Sequence, residues 1–289
     1  MVADVPDALP EALAAALVLL RCPHCAGALA PAAGRAVRCE RGHAFDVARQ
    51  GYLSLTAGGA GGGHAGDTAA MVAAREAVLG AGHFDPLAEA VAEAAADGTE
   101  GAIVEVGAGT GHHLAAALER APGRLGIALD VSRYALRRAA RAHPRAAAVA
   151  ADVWGPLPLR DRVAGAALCV FAPRNGAELR RVLAPGGVLV VATPAPEHLG
   201  ELRAALGLLD VDPRKAERLA RRLGDGFERR PGRRVAWTMR LDRPAQLALA
   251  AMGPSAFHAR PEERERRAAA LPARLAVTGA VTVAVHVRR

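Results

Sequence analysis

Lysine is almost missing from this chain: of 37 basic side chains only Lys215 is lysine, and the rest are arginine. With so much alanine and glycine, that skew reads as a GC-rich coding bias and is not by itself selection for arginine chemistry. Aromatic residues make up only 3% of the 289 residues against 52% hydrophobic, so the core must be aliphatic, built from Ala, Val and Leu. Cysteine is scarce too. Four cysteines give no disulfide framework, which points to a reducing compartment and a cytoplasmic protein. Long apolar runs are also lacking. Leu13 to Leu20 is too short to span a bilayer. The acidic Asp4, Asp7 and Glu11 before it have the wrong sign for a secretory signal. It reads instead as a helix or strand packed on the cysteine-bearing segment after it. The net charge of +8 favours a polyanionic partner, with a generic basic protein as the plain alternative that composition alone leaves nearly even.

Three of the four cysteines sit close together. Cys22-Pro23-His24-Cys25 is a C-x-x-C knuckle, and Cys39 to His43 is a C-x-x-x-H knuckle in which Gly42 can take the tight turn. Cys22, Cys25, Cys39 and His43 form a tetrahedral Cys₃His set suited to Zn²⁺. His24 competes as a ligand but fits the usual spacing less well than Cys25. A redox dithiol is the alternative, but it should sit near a βαβ pattern, which this one does not. The intervening stretch is short enough for a hairpin. A segment this small has little core, so the metal must supply much of its folding free energy. The fourth cysteine, Cys169, lies in the apolar run 164–171 and reads as a buried small hydrophobe.

The chain divides into an N-terminal zinc-binding domain over 1–56, ending in a strand at Gly51 to Leu55, a glycine-rich linker over 57–68, and an α/β domain over 69–289. Asp67-Thr68 caps a helix from Ala69 to Leu79. A second helix runs from Asp85 to Ala96 with Pro86 in its first turn. From Ala102 strands and helices alternate: strands at 102–106, 125–129, 146–150, 163–170 and 188–192, helices at 112–119, 134–142 and 214–223, and late strands at 237–241 and 281–287. That alternation implies a doubly wound, mostly parallel sheet.

The first strand runs into Glu105-Val106-Gly107-Ala108-Gly109-Thr110-Gly111, the place for a nucleotide-binding turn. A carboxylate at Glu105 suits the cationic amino-acid end of S-adenosylmethionine and would repel a pyrophosphate. Asp130 ends the second strand, placed for two ribose hydroxyls. Asp152 follows the third, placed for the adenine amino group. Each has a plain reading as a strand-end cap; in this order they favour the methyl donor over NAD.

Longer strings now carry a resemblance: Arg21 to Cys25, Cys39 to Tyr52, Met71 to Arg75, Gly82 to Leu87, Gly109 to His113, Ala151 to Trp154, Phe171 to Asn175 and Met252 to Ser255. Together they resemble the 23S ribosomal RNA guanine-N1 methyltransferases. The His112-His113 and Arg174-Asn175 versions are closer to the macrolide (tylosin) resistance branch. The resemblance implies a Rossmann-like class I S-adenosylmethionine-dependent fold, a zinc domain that helps read an RNA hairpin, and a homodimer. It implies cofactor contacts at Phe84, Gly109, Thr110 and His198; the family aromatic is often tyrosine, and Phe84 lacks its hydroxyl. The target base it implies is guanine 748, with the neighbouring guanine 745 as alternative. No residue is marked as the catalytic base. Phe171 is a candidate to stack on the target and Asn175 to read its edge, each with a bland reading as a buried ring or a loop cap. Asp67 is a weak candidate proton acceptor, better explained as a helix cap. Arg35, Arg38, Arg41 and Arg49 are the expected RNA contacts; Arg137, Arg138 and Arg141, and Arg229, Arg230, Arg233 and Arg234, are further basic groups. A small-molecule methyltransferase with a structural zinc and a noncatalytic RNA-binding protein remain as other classes.

Overall fold

The computed structural model describes residues 8–56, 66–208, 223, 226–253 and 261–289. Most of the tract 57–66 and most of the expected helix 214–223 lie outside these residues.

The apolar lead-in is a helix, α1 (Glu11–Ala16), closed by a 3-10 turn at Leu17–Leu19. It buries Leu13, Ala16, Leu17 and Leu20. The knuckles flank the expected hairpin, β1 (Leu29–Ala32) antiparallel to β2 (Ala36–Cys39). A third strand, β3 (Ala44–Asp46), completes the small sheet by pairing with β2.

The next strand differs from expectation only in part. β4 (Leu53–Ser54) ends the zinc module as expected, but it also serves the large sheet. It pairs in parallel with β7 (Ala146–Ala150), Leu53 opposite Val149, and so forms one edge of the large sheet. An isolated bridge between Val47 and Leu53 ties it back to the module. Burial explains the choice. Leu13, Leu20, Val37, Phe45 and Leu53 share one core with Val104, Ile127, Val149 and Leu189. The zinc module and α1 therefore cover one face of the large sheet, and the boundary drawn at 56 falls behind a strand that belongs to both units.

Five further strands complete the parallel and antiparallel order: β5 (Ala102–Val106), β6 (Gly126–Asp130), β8 (Ala164–Val170), β9 (Leu183–Pro194) and β12 (Arg274–Arg288). The path runs β4-β7-β6-β5-β8-β9-β12, with β9 the last parallel member and β12 antiparallel to it. β10 (Phe227–Arg229) and β11 (Arg233–Asp242) both pair with β12. The helices are α2 (Ala69–Gly80), α3 (Asp85–Ala96), α4 (His112–Arg120), α5 (Arg133–Ala139), α6 (Gly176–Val182) and α7 (Gly200–Leu206). Two more helices follow β11, at Arg243–Ala251 and Pro261–Ala269. Sequence periodicity marks α2 to α5 but not α6, α7 or these last two.

Chain order reverses at β5: β6 and β7 build outward on one side, β8 and β9 on the other. Such a switch point opens a crevice beyond the carboxyl ends of the strands, where ligands bind. The core is aliphatic, as the composition requires; β5, β7 and β8 are buried along their whole length.

Candidate functional site

The four metal-ligand candidates converge. Cys22 Sγ lies 3.6 Å and Cys39 Sγ 3.3 Å from His43 Nδ1, and Cys25 Sγ lies 3.7 Å from Cys39 Sγ. All four donor atoms fall within 4.8 Å of one another. Around a zinc ion with Zn–S near 2.3 Å, tetrahedral edges come to about 3.6–3.8 Å. The donor set therefore fits Zn²⁺, bound through three thiolates and Nδ1. Gly42, at φ 84°, makes the expected tight turn, and its N–H donates to the Cys39 carbonyl (2.9 Å). His24 is not a ligand here: its ring stacks on Phe45 at 5.8 Å and lies 5.0 Å from His43.

Gly107, Gly109 and Gly111 all have positive φ, and two are crowded by packed chain. A Cβ on Gly107 would stand 2.7 Å from the Ala172 Cβ, and one on Gly111 3.1 Å from the Ala139 Cα. The loop is thus threaded between the end of β8 and α5. Thr110 is half-buried beside Gly111, which takes the left-handed position just ahead of α4.

Glu105 departs from its expected duty. Its carboxylate is buried, accepts the Leu114 N–H (3.0 Å) in the first turn of α4, and lies 3.6 Å from His113 Nδ1. Positive helix ends attract such a charge; Glu105 shapes the loop and does not present an open carboxylate. Asp130 ends β6 and clamps the same loop. Its Oδ2 accepts the Gly109 N–H and its Oδ1 the Ser132 N–H, both at 2.8 Å. The Ala151 N–H donates to the Asp130 carbonyl (3.0 Å), which sets Asp152 at the neighbouring strand end. Asp152 Oδ1 accepts the Trp154 N–H (2.9 Å). The glycines, Asp130 and Asp152 are therefore gathered at one crevice.

Asp67 does not cap α2; Thr68 does, accepting the Met71 N–H through its hydroxyl (3.3 Å). Asp67 instead pairs with Arg75 at 2.6 Å. Burial, with a smaller push from the Asp130 carboxylate, holds Asp67 above the ordinary aspartate range despite Arg75.

An aromatic wall stands beyond β8 and β9. Phe84 is fully buried, edge-on to Trp237 at 5.6 Å and to His198 at 6.2 Å. The Phe171 ring lies 5.7 Å from His198 and is 38% exposed, in contrast to Phe84. Phe171 also holds φ at 53°, a conformation a bulky residue adopts at a cost. Burial drives the His198 imidazole down to about 4, so it is neutral at physiological pH. Its Nδ1 accepts the Ala280 N–H (3.1 Å), which leaves the ring proton on Nε2.

Asn175 is committed elsewhere. Its Oδ1 accepts the Glu178 N–H (3.4 Å) as the cap of α6, while Nδ2 donates to the carbonyls of Trp154 and Gly155. Asn175→Ala should lower stability by about 0.5–2 kcal/mol in urea denaturation and leave cofactor affinity unchanged; a selective loss of RNA methylation with full stability would instead return it to base recognition. Cys169 is wholly buried, which pushes its thiol up to about 12 and excludes it as a nucleophile.

The basic groups sort by partner. Arg38, Arg41 and Arg49 are exposed on the zinc module, whereas Arg35 donates to the Ala48 carbonyl (3.2 Å). Arg138 pairs with Glu76, and Arg137 lies over the Tyr134 ring. The 229–234 cluster is largely spoken for: Arg230 pairs with Asp97, Arg233 with Glu93, and Arg234 with Glu197.

The switch-point crevice, the glycine loop and the strand-end acids define an S-adenosylmethionine-dependent methyltransferase carrying a zinc ribbon. Family comparison agrees on both halves. Residues 20–56 match the zinc ribbon described as RlmA, N-terminal, and residues 104–191 match the methyltransferase domain. A 23S rRNA (guanine(748)-N(1))-methyltransferase of Streptomyces fradiae is 51% identical over 92% of this chain and 95% of its own length. A Micromonospora griseorubida protein, provisionally named for 23S rRNA guanine-N1 methylation, is 48% identical over 96% of this chain and 98% of its own. YxjB of Bacillus subtilis, named in the same provisional way, is 32% identical over 65% of this chain and 68% of its own. This chain belongs to the 23S rRNA (guanine-N1)-methyltransferase family.

Proposed function

We propose that this enzyme transfers a methyl group from S-adenosylmethionine to N1 of a guanine in a 23S rRNA hairpin loop, with guanine 748 as the target. The carrying observation is the match to the Streptomyces fradiae enzyme through both the zinc ribbon and the catalytic domain, at 51% identity. Bound S-adenosylmethionine supplies an activated sulfonium methyl, so much of the protein's task is in-line positioning. N1 lies on the Watson–Crick edge and bears a proton in neutral guanine. The base must therefore be unpaired or flipped out, and the proton must pass to an acceptor or water.

Phe171 is suited to hold such a base. It directly follows β8, its ring is partly open to solvent, and its strained backbone aims it beside His198. Asp67 is less suited to act as base while it is paired with Arg75. The test is nucleoside analysis after incubating the protein with a 23S rRNA hairpin and labelled S-adenosylmethionine. Label in 1-methylguanosine is expected; label in another nucleoside, or none with cofactor bound, would overturn the reading.

Recognition of the hairpin is assigned to the zinc module, whose Arg38 and Arg41 are exposed. Reversing both charges (Arg38→Glu with Arg41→Glu) should weaken RNA binding about tenfold or more and flatten its salt dependence, with cofactor affinity unchanged. Unchanged RNA affinity at physiological salt would remove this role. A homodimer and reduced macrolide susceptibility complete the proposal, both resting on the family resemblance. Light scattering and drug-susceptibility assays, with and without the gene, test them. Among the described residues no helix is long and apolar enough to cross a membrane; a ribosomal RNA substrate is the support for a cytoplasmic location.

A further inference from the structure

Arg75 on α2 occupies a position that neither capping nor surface solvation explains. A Cβ on Gly109, the middle glycine of the loop, would stand 2.8 Å from Arg75 Nη1. The guanidinium therefore lies directly against the glycine loop, with its side chain 25% exposed. Two anchors hold it there. Nη1 pairs with Asp67 at 2.6 Å, and Nη2 donates to the Met252 carbonyl at 2.8 Å. Asp67 is itself fixed, because the Ser132 hydroxyl donates to its carbonyl (2.6 Å). Ser132 in turn donates its N–H to Asp130, the residue that clamps Gly109.

This surrounding is acidic. Asp67, Asp130 and Glu105 all approach the loop, which disfavours a phosphate ligand. One cation set among them matches a ligand end that carries a single carboxylate beside an ammonium. A guanidinium has five N–H donors, and these two acceptors use one on each terminal nitrogen. Resting on the methyltransferase reading, we infer that Arg75 is the anchor for the α-carboxylate of S-adenosylmethionine, gripping it with the donors that Asp67 and Met252 leave over. Arginine suits this task because its planar fork matches a carboxylate. Asp67 and Met252 then act as positioning partners that hold the fork over Gly109.

The test compares two ligands by calorimetry on the full chain: S-adenosylmethionine and its decarboxylated analogue. The wild-type protein should prefer the intact cofactor by about 10- to 100-fold, the range of a charge-assisted bond. Arg75→Gln, which keeps hydrogen-bonding groups but no charge, should shrink that preference to within about threefold. Arg75→Lys should retain part of it. Equal weakening of both ligands in Arg75→Gln, with the preference intact, would show a purely structural role and overturn the assignment while leaving the methyltransferase reading untouched. Failure of the wild-type protein to bind either ligand would remove the reading and the inference together. Should Arg75→Gln fail to fold, Arg75→Lys alone decides: an undiminished preference in it overturns the assignment, and a diminished one supports it.

Discussion

Replacing Cys39 with serine should release the zinc and lower methylation of ribosomal RNA by about a hundredfold or more, while cofactor affinity changes by less than about twofold. The first half follows from the donor geometry. Cys39 Sγ lies close to both His43 Nδ1 and Cys25 Sγ, so its loss opens the tetrahedron between them. A hydrogen-bond partner behind a metal ligand is worth about 10- to 100-fold in metal affinity, and a ligand itself more. The module has little core of its own, so metal binding and folding are one equilibrium. The second half follows from the sheet. The glycine loop, Asp130 and Asp152 hang from β5, β6 and β7, which pair with one another independently of the small sheet. Zinc content by atomic absorption, methyl transfer and calorimetry separate these effects. A parallel loss of cofactor binding would mean that the shared core of α1, β4 and β7 transmits the damage to the crevice. Thermal unfolding should also shift downward on chelation.

The second large effect belongs to Gly107. Gly107→Ala should weaken S-adenosylmethionine binding by about tenfold or more, for two separate reasons. The position has φ 69°, where any L side chain costs about 1–2 kcal/mol. The added Cβ would also sit 2.7 Å from the Ala172 Cβ, closer than such atoms approach. Ala172 is held by its own backbone between Phe171 and Pro173, so no flexible side chain can yield. The loop must shift away from β8, and with it the hydrogen bond from Gly109 to Asp130. Gly34 is the control. It has φ 67° but open space where a Cβ would go. Gly34→Ala should cost a similar amount of stability and leave cofactor affinity alone. Equal affinity in Gly107→Ala and wild type would mean that the loop does not meet the ligand.

These two sites are readable because each is a local pattern. Metal ligands need fixed short spacings, and a loop that brings backbone to a ligand needs glycine at positive φ. What stays hidden depends on contacts between distant segments. Arg75 is one arginine in an ordinary helix, and its partners stand at 67, 109 and 252. Glu105 and Asp130 fall where expected on the strands, but the backbone N–H groups they accept cannot be read from spacing. The arginines at 230–234 look like a free basic patch until α3 brings Asp97 and Glu93 against them. Leu53 alternates as a strand residue should, yet alternation does not say which sheet it joins. The mainly parallel sheet follows from the strand–helix alternation. The antiparallel arm of β11 and β12 does not, because strand direction there is set by a long return of the chain.

Primer extension across the hairpin loop, on 23S rRNA from cells lacking and then expressing the protein, tests the central claim most directly. A methyl on guanine N1 blocks pairing, so reverse transcriptase should stop one nucleotide before guanine 748, the base named for the Streptomyces fradiae relative, only when the protein is expressed. The stop should vanish in Cys39→Ser and weaken in Gly107→Ala. Readthrough at that loop, from a strain whose purified protein binds S-adenosylmethionine, would contradict the assignment of this base as the substrate.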